Sequence, residues 1–151
     1  MANLEFSREF SVPPNEVFVF FVPQRMPLWY AAEMESHFEV QGGAADFAVA
    51  QKVRIAGKLG AREVTLTVVI TAYEWERLLE WQFQDSYGVR GFQRWKLEAT
   101  PGGTRLRMHD SYQMPGLFGR IFDVLFTRFG VSQRDRAWLD RLQRLAEPRT
   151  P

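Results

Sequence analysis

The sequence contains no cysteine and no long hydrophobic run, and its N-terminal segment MANLEFSREF lacks the basic and apolar regions of a signal peptide. Without cysteine the chain can form no disulfide bond, thiol nucleophile or thiolate metal site. The longest apolar run, VFVFFV, is far too short to span a bilayer. We therefore expect a cytoplasmic protein without integral membrane association.

An excess of charge of one sign is also missing, since the formal net charge is +1 over 151 residues. Arginines are frequent towards the C-terminus, but aspartates are interspersed among them. We assign these charges, including Arg134 and Asp135, to the solvent-exposed outer face of a helix. The sequence therefore predicts no nucleic-acid partner.

The motifs of common catalytic and cofactor sites are absent as well. Strand alternation places the only two histidines, His37 and His109, on polar faces, and neither has a carboxylate at the spacing typical of a metal site. There is no Gly-x-Ser-x-Gly motif, and GKLG at 57–60 lacks the ending of a phosphate-binding loop. The sequence therefore predicts no metal site and no cofactor.

Aromatic residues, in contrast, are abundant: 13 Phe, 5 Trp and 4 Tyr make up 15% of the chain. Many of them lie in FSVPPNEVFVFFVPQRMPLWY, residues 10–30, where four prolines interrupt the backbone. Large aromatic side chains line ligand cavities and interfaces as well as filling cores. Two interpretations stay open from the residues alone, namely an aromatic cavity mouth and a fully packed core.

Local periodicity predicts one strand, two short helices, about six further strands and a long final helix. LEFSREFSV alternates until two prolines end it, and NEVFVFF and PQRMPLWY then carry short helical patterns interrupted by proline. Alternating segments separated by turn residues fill 34–113, and apolar residues three and four apart continue over 117–147. We expect a single α+β domain over residues 1–147 and a frayed tail at 148–151.

The order of four features resembles the START-like (SRPBCC) superfamily, which includes polyketide cyclase/dehydrase and lipid-transport proteins. FSVPPNEVFVFFVPQRMPLWY is similar to its opening strand, proline-containing turn, short helix and tryptophan. VVITAYEWERLLEWQF is similar to its central strand pair, WKLEATPGGTRLRM to the hairpin before its last strand, and the final segment to its long helix. The resemblance implies a helix-grip fold. In that fold a curved seven-stranded antiparallel sheet wraps around a long C-terminal helix, with two short helices after the first strand.

The resemblance also implies a hydrophobic cavity between sheet and helix, lined by inward-facing side chains and closed by a gate at Trp29. The candidate ligand-binding residues are Phe21, Met26, Trp29, Tyr30, Phe38, Trp81, Phe83, Trp95, Met108, Asp110, Tyr112, Phe122 and Phe126. If these aromatics instead form a plain core, the space behind them is full.

Several polar residues share a strand face with apolar neighbours, which is costly unless they are paired. Arg8, Gln93 and Asp110 are the clearest cases. The first and last strands are neighbours in the resembled fold, so Arg8 and Asp110 are expected to be able to form an ion pair. With Tyr112 and Gln93, this pair would orient the polar end of a ligand. A purely structural pair, or a strand bulge that turns one side chain outwards, is the alternative.

Three functions therefore stay open. The first, which we favour because no acid, base and nucleophile converge, is binding or transport of a hydrophobic small molecule such as a lipid, an isoprenoid or a polycyclic aromatic compound. The second is an enzyme resembling polyketide cyclases or dehydratases, with Asp110, Tyr112 and Gln93 as catalytic candidates. The third is a protein-interaction module with an exposed apolar patch at Leu28, Trp29 and Tyr30. An exposed aromatic edge would also be compatible with a homodimer.

Overall fold

The computed structural model describes residues 2–116 and 128–148, and these contain a seven-stranded sheet. The strands are β1 (Ala2–Phe10), β2 (His37–Val40), β3 (Lys52–Leu59), β4 (Arg62–Glu74), β5 (Leu78–Asp85), β6 (Arg90–Thr100) and β7 (Gly103–Gln113). Two described α-helices accompany them, α1 (Pro14–Phe18) and α2 (Arg128–Ala146). Short 3-10 turns cover Met26–Leu28, Ala32–Met34 and Gln41–Gly43.

All neighbouring strands are antiparallel, in the order β1-β7-β6-β5-β4-β3-β2. Consecutive strands from β2 to β7 lie side by side, whereas β1 occupies the far edge next to β7. This arrangement confirms the predicted helix-grip fold, with its antiparallel sheet and C-terminal helix. The predicted part of that helix at 117–127 lies outside the described residues.

The turn between β6 and β7 brings the chain very close to the end of β1. Gly103 has a φ of +145°, and a Cβ atom at this position would lie 2.1 Å from the carbonyl oxygen of Phe10. Only glycine can therefore occupy the position without a shift of the backbone. At the neighbouring Gly102, a Cβ atom would meet nothing within 4 Å.

The proline-interrupted segment after β1 folds into less helix than the sequence predicts. Pro13 caps α1 in an extended conformation, and α1 ends after five residues. The second predicted helix is a single 3-10 turn at Met26–Leu28. The strand expected from Met34 onwards begins only at His37, because Ala32–Met34 forms a 3-10 turn and Glu35, which follows it, has left-handed backbone angles that an extended strand does not contain.

Large aromatic side chains from this segment pack into the buried core against the sheet. The rings of Phe21 and Trp29 are 5.0 Å apart, and Trp29 meets the ring of Trp95 edge-on at 5.9 Å. From α2, Trp138 and Leu142 join the same core at helical spacing. Within the described ranges, no helix has the length and apolarity needed to cross a membrane.

Candidate functional site

A cavity of about 240 Å³ lies between α2 and the inner face of the sheet. Its apolar wall includes Val64 and Leu66 from β4, Phe83 from β5 and Val131 from α2. At roughly 30 Å³ for each water molecule, this space corresponds to about eight waters. The sheet and the helix therefore do not meet completely along their length.

A charged cluster forms the polar end of this cavity. Arg134 of α2 places Nη2 3.3 Å from Asp110 Oδ2 and 3.3 Å from Asp135 Oδ1. Both aspartates are fully buried, whereas the Arg134 side chain remains 40% exposed where it lines the cavity. The guanidinium also lies over the ring of Trp138, 4.4 Å from its centre, a geometry that favours a cation–π contact.

Burial determines the protonation of this cluster. Burial raises the pKa of Asp135 to about 9, with further contributions from the negative charge of Asp110 and a hydrogen bond to it. Burial alone would lower the pKa of Arg134, but the charges of Asp135 and Asp110 raise it overall. At neutral pH, Asp135 is therefore a protonated acid beside Asp110, and Arg134 carries a positive charge.

A second polar group in the cavity wall is Gln93 of β6, which lies directly opposite Asp110 of β7. The Tyr30 hydroxyl donates a 2.6 Å hydrogen bond to Gln93 Oε1, and Trp81 Nε1 donates a 3.0 Å hydrogen bond to the same oxygen. Burial raises the pKa of Tyr30 above its ordinary value, so that its hydroxyl keeps the proton it donates. Gln93 of β6 thereby connects its own strand to β5 and to the segment before β2 that contains Tyr30.

Glu33 connects the segment before β2 to α2. Trp138 Nε1 donates hydrogen bonds of 3.1 and 3.0 Å to the two oxygens of Glu33, and Arg141 Nη1 lies 3.1 Å from Oε2. Glu33 lines the cavity, and these contacts hold one of its walls against the helix.

Five of the sequence-predicted site residues line the cavity, and the other described ones belong to the core. The cavity-lining residues are Tyr30, Phe83, Gln93, Asp110 and Tyr112. The buried core contains Phe21, Met26, Trp29, Trp81, Trp95 and Met108, with Phe38 packed against it. For these core residues, the assignment as ligand contacts stays a prediction. Phe122 and Phe126 lie outside the described residues.

The expected ion pair between Arg8 and Asp110 is wrong. β1 and β7 are neighbours, but their register places Leu4 opposite Asp110 and Arg8 opposite Leu106. At about 3.3 Å per residue, Arg8 is displaced by roughly 13 Å along the strand. Its Nη1 instead lies 2.5 Å from Asp140 Oδ1 of α2.

The assignment of Arg134 and Asp135 to the outer face of the last helix is also wrong. Asp135 precedes the buried Trp138 and Leu139 by three and four residues, and Arg134 precedes Trp138 by four. This spacing puts both charges on the helix face that meets the sheet. The spacing is the sequence signal that could have identified them.

The apolar patch expected for a protein-interaction module does not form as predicted. Leu28 is 54% exposed, but Trp29 and Tyr30 are buried. The three neighbours in sequence therefore do not share one surface. Among the side chains that the structure describes, no group of three or more histidines and carboxylates is arranged to hold a metal ion.

Comparison with known proteins shows which family and which solved structures this chain resembles. A family model described as polyketide cyclase / dehydrase and lipid transport matches residues 1–147. Comparison with curated proteins returned no significant match.

Several solved structures are similar to this chain. Protein MLL2253 from Mesorhizobium loti is 18% identical, with a TM-score of 0.75 and coverage of 99% of this chain and 100% of that one. Protein Mll3558 from Rhizobium loti is 16% identical, with a TM-score of 0.76 and coverage of 95% and 96%. DynU16, from the dynemicin biosynthetic locus, is 18% identical with a TM-score of 0.68, and the match covers 97% of this chain but 47% of DynU16. Identities this low show a shared fold and leave function to the site itself.

Proposed function

Because this chain belongs to the polyketide cyclase / dehydrase and lipid transport family, we propose that it binds a small hydrophobic molecule in the cavity beneath α2. The observation that carries the proposal is the cavity of about 240 Å³, which combines an apolar wall with one polar end. Ligand sites typically have this composition, since apolar surface supplies affinity and a few polar groups fix orientation.

The cavity volume narrows the class of ligand. Ligand pockets commonly have volumes of about 300–1,000 Å³, and this cavity lies just below that range. A compact isoprenoid or a bicyclic aromatic molecule therefore suits it better than a lipid with two long chains. Phe83 and Trp138, which line the cavity, supply aromatic contacts for such a molecule.

The test is calorimetric titration with 2-ethylnaphthalene, an apolar bicyclic probe. We expect saturable binding to the native protein and at least tenfold weaker binding to Val131→Phe, because the larger side chain occupies the cavity. The matched control is Val49→Phe, since Val49 is 61% exposed and does not line the cavity. Absence of saturable binding, or equal loss in both variants, would contradict the proposal.

A second candidate function is dehydration of a β-hydroxy ketone, as in a cyclase or dehydratase. The observation that favours it is a pair of buried carboxyl groups at the polar end of the cavity: Asp110 lines the cavity, and Asp135, behind it, keeps a proton at neutral pH because burial raises its pKa to about 9. In this reaction a carboxylate removes the α proton, and an acid protonates the departing hydroxyl, giving an enone and water.

This candidate is tested with 4-hydroxy-4-phenylbutan-2-one, by following the absorbance of the enone product. Turnover that is lost in Asp110→Asn, while 2-ethylnaphthalene still binds, would support catalysis. A rate in the native protein equal to that in buffer would exclude this reaction.

A further inference from the structure

The orientation of the Gln93 side-chain amide follows from its partners. An indole nitrogen can only donate a hydrogen bond, so the Gln93 atom 3.0 Å from Trp81 Nε1 must be the accepting oxygen. The Tyr30 hydroxyl donates to the same oxygen at 2.6 Å. The two contacts together fix the amide, and the other amide atom, Nε2, must point away from both donors.

The Gln93 amide nitrogen has no acceptor among the residues that the structure describes. Gln93 is 2% exposed and lines the cavity, so the cavity is the space available to an amide nitrogen that points away from Tyr30 and Trp81. Buried donors are almost always satisfied in native proteins. An acceptor on a ligand in the cavity would satisfy this donor.

A second donor lies at the same end of the cavity. Arg134 uses Nε and Nη2 for Asp135 and Asp110, while Nη1 donates to no side chain in the described part of the chain. Gln93 and Arg134 flank the same carboxyl, because Gln93 is the cross-strand partner of Asp110 and Arg134 is its ion-pair partner. The cross-strand pairing brings the two donors to one end of the cavity.

The charges around these donors select the kind of acceptor. Arg134 is balanced by Asp110, so a carboxylate on a ligand would add an uncompensated negative charge to a buried cluster. Glu33 and Asp85, which also line the cavity, carry the same sign and would repel it. A carbonyl oxygen accepts hydrogen bonds without adding charge.

We propose that the cavity recognises the oxygen of a neutral carbonyl group on its apolar ligand, through Gln93 Nε2 and Arg134 Nη1. This inference rests on the proposed binding function and names the chemical class of its ligand. The bound molecule is then an apolar ketone or a related carbonyl compound, and a fatty acid is disfavoured.

The experiment compares three probes of one skeleton by calorimetry: 2-acetylnaphthalene, 2-ethylnaphthalene and 2-naphthoate. Hydrogen bonds to one neutral and one charged donor should make the ketone bind about ten- to a hundredfold tighter than the hydrocarbon. The naphthoate should bind more weakly than the ketone. Gln93→Glu keeps an oxygen for Tyr30 and Trp81 but offers no donor, so the advantage of the ketone should decrease. The control for added charge is Gln82→Glu, since Gln82 is exposed on the other face of β5.

A measurement on the native protein covers the case in which Gln93→Glu fails to fold. The carbonyl stretching frequency of bound 2-acetylnaphthalene should be lower than in hexane, because hydrogen bonds weaken the C=O bond. An unshifted frequency, or equal affinities for ketone and hydrocarbon, would overturn the inference and leave the binding function intact. Binding of the naphthoate that is tighter than binding of the ketone would also overturn the inference and leave the binding function intact. If none of the probes binds, the proposed function fails and the inference fails with it.

Discussion

Arg134 Nη2 lies 3.3 Å from Asp110 Oδ2, and this contact joins helix α2 to strand β7 at the polar end of the cavity. The two residues are 24 positions apart in sequence, and they meet because α2 crosses the inner face of the sheet. The contact balances a fully buried carboxylate and at the same time fixes the arginine over Trp138. One pair of residues therefore contributes to both stability and the shape of the site.

Arg134→Met should lower the free energy of unfolding by about 2 kcal/mol. Removing one partner of a fully buried ion pair costs about 3–5 kcal/mol, and the 40% exposure of Arg134 places this pair below that range. Urea denaturation measures the change. Arg105→Met is the control, because the Arg105–Glu9 pair is exposed and screened by water, so its loss should change stability far less than the loss of Arg134. Equal effects of the two substitutions would contradict a special role for the buried cluster.

Asp135→Asn should change how stability depends on pH. The folded protein keeps the Asp135 proton up to about pH 9, whereas the unfolded chain releases it near the ordinary aspartate pKa of 3.8. Between these values the folded state binds more protons, so native stability falls as pH rises. The slope from this group is at most about 1.4 kcal/mol per pH unit.

Asparagine resembles the protonated acid, so the stability of Asp135→Asn relative to the native protein should increase from pH 5 to pH 9. Chemical denaturation at a series of pH values measures this difference. Parallel profiles for Asp135→Asn and the native protein would mean that Asp135 is ionised in the folded state.

Trp29→Ala should destabilise the protein by about 3–5 kcal/mol, the usual cost of removing a large buried aromatic side chain. Trp29 is fully buried, contacts the rings of Phe21 and Trp95, and donates a 2.9 Å hydrogen bond from Nε1 to the Phe20 carbonyl oxygen. Its neighbour Leu28 is exposed, and Leu28→Ala should change stability by less than about 0.5 kcal/mol. Thermal or urea unfolding distinguishes a core residue from a movable gate, for which Trp29→Ala would cost little.

Gly103→Ala should destabilise the protein by roughly 2–4 kcal/mol, whereas Gly102→Ala should be nearly neutral. At Gly103 the added methyl group meets the Phe10 carbonyl oxygen and the backbone has a positive φ, so overpacking and strain add together. At Gly102 the same methyl group meets open space. The difference between the two midpoints of urea unfolding tests the close approach of this hairpin to β1, and equal midpoints would rule it out.

Much of the fold could be predicted because its signals are local. Alternation in LEFSREFSV and in the segments between 34 and 113 reflects burial of one strand face, and the structure forms strands there. The helical pattern before Ala146 likewise reflects burial of Trp138 and Leu142. The short elements between 10 and 36 were less predictable. Prolines and the left-handed backbone angles of Ala31 and Glu35 set where each of these elements begins and ends, and such angles at single residues leave no periodic pattern in the sequence.

The candidate site was only partly predictable, because inward direction and cavity contact are different properties. Alternation correctly turned Phe83 and Asp110 inwards, and both line the cavity. It gave the same direction to Trp81 and Trp95, which fill the core instead. No local pattern distinguishes a side chain that meets another side chain from one that meets empty space.

The sequence by itself determined which residues alternate, where prolines stop an element and which family the order of elements resembles, because each depends on near neighbours in the chain. Only the tertiary structure decided that Arg8 pairs with Asp140 and that Arg134 pairs with Asp110. Those choices depend on the register of β1 against β7 and on the face that α2 presents to the sheet. A register shift of one residue inverts every side chain of a strand, so the partner of a buried charge is a property of the assembled layers.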